Sequence, residues 1–86
     1  MDPQLIIEQF QKAIIQIATA GGTGTGFYVK EFDLIVTNAH VVAEDAEVTI
    51  AGKVFDKALA RVWYTDRKHD LAFLQAPSGI ELPEVR

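Results

Sequence analysis

The hydrophobic pattern changes period once, close to residue 13. Before that point Leu5, Ile6, Gln9, Phe10 and Ala13 follow one another at helical spacing. Asp2 is a good N-cap and Pro3 suits the first turn, so the spacing predicts a helix from Pro3 to Lys12. A helix this short is marginal alone in water, and its apolar face needs a surface to pack on.

Beyond Ala13 the apolar residues are β-branched and come in short runs between turn residues. Ile14–Ile17 reads as a strand, with Gly21 and Gly22 as the turn after it. Thr23, Gly24, Thr25 and Gly26 lead into a strand at Phe27–Val29, Lys30–Asp33 is a hairpin turn, and Leu34–Thr37 is the returning strand. Asn38–Ala43 fits a single helical turn or a compact loop. Glu47–Ile50 is a short strand, and Gly52 turns the chain.

Val54–Tyr64 holds one long strand or two. Alternation puts Ala58, Ala60, Val62 and Tyr64 on one face and Leu59, Arg61 and Trp63 on the other. Thr65–His69 is a polar loop, and Leu71–Leu74 is the last clear strand before Pro77, Ser78 and Gly79 break it. Residues 82–86 form a tail able to start another extended segment. About six short strands with frequent turns imply a mainly β sandwich or barrel. No repeat, low-complexity stretch or linker interrupts it.

Composition narrows the function classes. The chain has 86 residues, 49% of them hydrophobic, enough for one core and against disorder. The net charge of −4 argues against a nucleic-acid surface, which needs a basic stripe. No apolar run approaches the ~20 residues of a membrane span. There is no cysteine, hence no disulfide and no cysteine-based zinc site. Met1–Gln4 lacks the basic and apolar regions of a signal peptide.

Two segments concentrate the chemistry: Gly24-Thr25-Gly26-Phe27-Tyr28-Val29, running on into Leu34–Val42, and Asp66–Leu74. His40 stands just past a strand end, and Asp70 where a polar loop becomes a strand. Two such ends can meet at one rim of a barrel although 30 positions (70 − 40) separate them. An imidazole with a pKa of ~6.5 suits proton transfer near neutral pH. It works best with a carboxylate on its other nitrogen.

Each residue also has a plainer reading. His40 alone reads as a buried, hydrogen-bonded histidine, and Asp70 as a turn aspartate. His69, next to Asp70, is expected to face solvent without a role. No ligand spacing recommends a metal site from His40, His69 and Asp70, so no metal and no cofactor is expected. Gly21, Gly22, Gly24 and Gly26 lead into a strand and lack a following G-K-[ST], so they serve tight turns and close backbone approach, not phosphate. Trp63 and Tyr64 read as core and rim, and Glu44, Asp45 and Glu47 as a solvated loop.

G-T-G-F, a strand, a turn, a strand ending T-N-A-H-V-V, and D-L-A-F-L some thirty residues on together resemble the HtrA/Deg branch of the trypsin-like serine proteases. The match runs from about Ile14 to Leu82. The resemblance implies the N-terminal, antiparallel six-stranded half of a trypsin-like double β-barrel. Residues 1–12 are then a short helix, and 13–86 the N-terminal barrel subdomain, with the C-terminal barrel absent. It makes His40 the general base and Asp70 its orienting carboxylate in a Ser-His-Asp triad that hydrolyses peptide bonds.

In that family the serine lies in the second barrel. Ser78, the one serine here, lacks a G-x-S-x-G-like setting, so the chain alone is expected to be inactive. The implied partners are a protein or peptide substrate, with unfolded or damaged proteins as the class, and a C-terminal half carrying the serine. The implied setting is extracytoplasmic. The rival reading is a stand-alone, non-catalytic β-domain for binding or self-assembly. A half-barrel left uncovered exposes an apolar face, which predicts homo-oligomers, including strand exchange.

Overall fold

The computed structural model describes residues 2–53 and 55–83. Helix α1 spans Pro3–Ala13 and is followed by strands β1 (Ile15–Thr19), β2 (Gly22–Val29) and β3 (Leu34–Thr37). A short helix, α2 (Ala39–Val42), then precedes β4 (Glu47–Gly52), β5 (Phe55–Asp66) and β6 (Leu71–Gln75). The expected start of the long strand at Val54, and tail residues 84–86, lie outside the described residues.

The six strands close into an antiparallel barrel in the order β1-β2-β3-β6-β5-β4. Every strand pairing is antiparallel, as expected of short strands joined by tight turns. Alternation drives the closure. Ile17 lies opposite Ile50, Ile50 opposite Ala58 and Val48 opposite Ala60, Val62 opposite Leu74, and Leu74 opposite Ile35. These inward residues, with Ile15, Val42, Ala72 and Leu82, form one core. Burying a Val, Leu or Ile side chain contributes roughly 1.5–3 kcal/mol.

Four local features depart from the sequence pattern. The β1–β2 hairpin turns at Ala20 and Gly21, and Gly22 already pairs with Thr19, so the glycine-rich run lies within β2. Asp66, expected in a polar loop, closes β5 by pairing with Leu71. The third concerns Tyr64: a register shift between Val62 and Tyr64 adds one residue to β5. Trp63 is that extra residue, so Tyr64 turns outward opposite Phe73, and Thr65 takes the position opposite Ala72. Trp63 and Tyr64 are therefore 60% and 57% exposed rather than core and rim.

The fourth is α1. Asp2 caps it as expected, its Oδ1 accepting the Gln4 N–H at 2.9 Å. Leu5, Ile6 and Ile7 are nevertheless exposed, and of this helix Ala13 belongs to the buried core. No helix among the described residues is long and apolar enough to cross a membrane.

Candidate active site

Two close backbone approaches set the site. An added Cβ on Gly26 would lie 2.9 Å from the carbonyl oxygen of Val36, so only glycine lets β2 run this close to β3. An added Cβ on Gly24 would lie 2.6 Å from both γ-carbons of Val41, and α2 therefore sits directly against the β2 backbone. Beside these, buried Thr37 ends β3 by donating its hydroxyl to the Thr25 carbonyl at 2.6 Å. The strand end that carries Asn38 and His40 is thus fastened from below.

Asp70 approaches from the other side, at the end of the turn between β5 and β6. It adopts φ +55°, a left-handed conformation that Asp tolerates better than most residues. Its carboxylate takes two contacts from one residue. Oδ1 accepts the backbone N–H of His40 at 2.9 Å, and Oδ2 lies 2.7 Å from His40 Nδ1. Asn38, the N-cap of α2, does not cap that helix with its side chain. It donates its Nδ2–H to the Asp70 carbonyl at 3.1 Å.

The His40 and Asp70 side chains are 72% and 46% exposed, on the barrel rim. The hydrogen bonds from the His40 backbone and ring hold the Asp70 carboxyl below its ordinary value. With Nδ1 engaged, Nε2 is the imidazole nitrogen left for proton transfer to a reactant. Ser78 follows the end of β6 opposite to Asp70, exposed in the turn that ends at Gly79.

A family model described as a trypsin-like peptidase domain matches residues 24–86, the portion that carries His40 and Asp70. This chain belongs to the trypsin-like peptidase domain family.

Among the relatives of this trypsin-like domain is the serine protease HTRA1B of Danio rerio, 38% identical over 77 residues. The match covers 90% of this chain and 16% of that protein. A human pathogenic astrovirus serine protease is 34% identical with a TM-score of 0.74, covering 88% of this chain and 44% of that one. A serine endoprotease from Yersinia pestis shares the fold at a TM-score of 0.80, with 19% identity over 99% of this chain and 32% of its own. The chain therefore spans less than half the length of these relatives.

The trypsin-like barrel also holds contacts that sequence reasoning missed. Glu44, read as part of a solvated loop, pairs with Arg67 at 2.7 Å and ties the His40 segment to the Asp70 turn. Both side chains are exposed, so the pair contributes at most about 1 kcal/mol. His69 faces solvent, as expected. It sits in the turn, its Nδ1 2.8 Å from Asp66 Oδ2 and its backbone N–H donated to Asp66 Oδ1 at 3.1 Å. Asn38 was in view inside T-N-A-H, but its reach to Asp70 is a tertiary contact that no local spacing encodes. Among the described residues, no group of three or more His, Cys, Asp and Glu side chains is placed to hold a metal ion.

Proposed function

We propose that His40 and Asp70 are the general base and the orienting carboxylate of a serine endopeptidase of the HtrA/Deg type. The observation that carries this is the double contact of one carboxylate with one histidine, 2.7 Å at Nδ1 and 2.9 Å at the backbone N–H. The backbone contact fixes the carboxylate against His40 and the ring contact engages Nδ1, which leaves Nε2 as the free ring nitrogen. A serine hydroxyl placed there gives its proton to Nε2 as it attacks the scissile carbonyl, and the imidazolium then protonates the leaving amine. Asp70 stays ionised throughout and stabilises the imidazolium.

The domain reading follows. Residues 13–86 act as the N-terminal barrel of a double-barrel peptidase, with residues 1–12 as an appended helix. The serine, the oxyanion donors and the specificity pocket come from a second barrel. Family resemblance favours unfolded or damaged proteins as substrates and an extracytoplasmic setting. The 86-residue chain by itself is inactive, because its one serine, Ser78, lacks a G-x-S-x-G-like setting.

A second reading, a non-catalytic binding or self-assembling barrel, draws on a different observation. Phe27, Val36, Phe73 and Tyr64 are successive cross-strand partners over β2, β3, β6 and β5, so they share the barrel's outer face. Trp63 extends this row at a ring separation of 6.3 Å from Tyr64.

Fluorogenic casein distinguishes the readings. Purified chain alone is expected to give no turnover above background. Danio rerio HTRA1B in which the matching 77 residues are replaced by this chain is expected to cleave casein and to lose that activity with His40→Ala. Turnover by the isolated chain, or a folded chimera whose activity survives His40→Ala, overturns the proposal.

A further inference from the structure

The turn that delivers Asp70 carries a second histidine–carboxylate pair built like the first. Asp66 ends β5 and Leu71, its cross-strand partner, starts β6, so four residues must reverse the chain. Within them Asp66 Oδ1 accepts the His69 backbone N–H at 3.1 Å, and Oδ2 stands 2.8 Å from His69 Nδ1. The Asp66 side chain is 29% exposed, the most protected partner in the three ion pairs around the site.

Apart from the bonds that Asn38 and His40 make to Asp70 itself, the described residues give the turn little else to hold it. The Asp70 N–H reaches the Arg67 carbonyl at a long 3.4 Å, and Arg67 itself is pulled across to Glu44. Asp70, the residue after His69, stands in a left-handed conformation, which Asp tolerates and which its surroundings select. Asp66 is the side chain that fixes the peptide leading into His69, the residue before Asp70.

We infer that Asp66, acting through His69, is a positioning residue for Asp70: it locks the turn at residue 69 and so sets the direction in which the Asp70 carboxylate meets His40. The inference rests on the reading of His40 and Asp70 as the working pair, but its readout is the geometry of that pair and not turnover. A failure of either idea is therefore seen separately.

The charges around Asp66 make the test decisive in sign. Arg67, Lys68, His69 and Asp70 share its turn, and Glu44 faces that turn across the Arg67 pair. Removing a negative charge four residues from Asp70 would by itself draw the Asp70 titration midpoint down, since like charges disfavour ionisation. Loosening the bonds from His40 to Asp70 does the reverse.

The experiment is a carbon-13 titration of the Asp70 carboxyl in the 86-residue chain, with the low-field His40 Nδ1–H resonance followed alongside. Asp66→Ala is expected to move the midpoint up, toward about 3.9, and to weaken or abolish the low-field resonance. Asp66→Asn keeps an oxygen for the His69 N–H and is expected to restore the resonance and leave the midpoint at or below that of the parent. His69→Ala, on the exposed surface, removes only the ring contact and is expected to shift the midpoint up by less. It serves as the deciding variant if Asp66→Ala does not fold. A midpoint that stays put or falls in both folded alanine variants overturns the inference.

Discussion

A methyl group on Gly24 would lie 2.6 Å from each γ-carbon of Val41, the residue immediately after His40. Val41 is stiff at χ1, so it cannot swing clear as a long side chain would. Gly24→Ala therefore pushes α2 off β2. We expect a loss of about 1–3 kcal/mol, seen by calorimetry as a fall of roughly 5–20 °C in Tm. The low-field His40 resonance should shift with it. A Tm equal to that of the parent would show that α2 is seated by something other than this contact.

Ala43 presents the opposite case. It follows α2 with φ 50° and ψ −117°, a combination that L residues with a Cβ rarely adopt, while its N–H donates to the Ala39 carbonyl at 2.9 Å. Such a backbone costs about 1–3 kcal/mol, and glycine there relieves it at an entropic cost of about 0.5–1 kcal/mol. Ala43→Gly should stabilise the chain by about 1 kcal/mol and raise Tm by several degrees. Urea denaturation midpoints check this, and a lowered midpoint would count against strain at this position.

The contrast between these two residues shows how far the sequence was legible. Gly24 stood in a motif, G-T-G-F, and its role as a place of close approach was readable before any coordinates. Ala43 carries no signal, because its unusual backbone is imposed by α2 and by the chain reversal after it. The six strands were legible, since hydrophobic period and turn residues encode them, the helical turn at Ala39–Val42 was one of two readings of its segment, and the approach of His40 to Asp70 was expected from the family resemblance. The outward turn of Tyr64 was not. A strict alternation put it with Ala58, Ala60 and Val62, and one inserted residue, Trp63, reversed the side. Bulges are fixed by pairing with a neighbouring strand, which a single run of residues does not reveal. The bonds from Asn38 to Asp70 and from Arg67 to Glu44 escaped for the same reason.

The pH dependence follows from two carboxylates. His69 bonds lower the Asp66 carboxyl, and the His40 backbone and ring lower that of Asp70. A carboxylate lowered in the folded chain contributes stability that is fully present above its unfolded value, near 3.9. That contribution is lost as pH falls through the folded value. Stability should therefore drop as pH is taken below about 4, by a greater margin than in an Asp66→Asn, Asp70→Asn double variant. Urea melts of both chains between pH 6 and pH 2.5 measure this. An acid limb of equal steepness in the two would show that these carboxylates do not drive it.

The outer face carries the last prediction. Trp63 and Tyr64 are both mostly exposed, and Tyr64 leans on Phe73 at a ring separation of 6.3 Å. Solvent contact of so many rings is unfavourable, and aromatic side chains dominate interface energetics when covered. The barrel is closed, so its described strands offer no open edge for another chain to extend. Association of the lone chain should then proceed through this face in preference to strand exchange. Sedimentation at increasing concentration is expected to show reversible dimers or larger species. Trp63→Lys with Tyr64→Lys should move the chain to monomer while leaving the far-ultraviolet dichroism intact, because neither side chain is in the core. A parent chain that stays monomeric at millimolar concentration would mean that the aromatic row is tolerated in water and needs no cover.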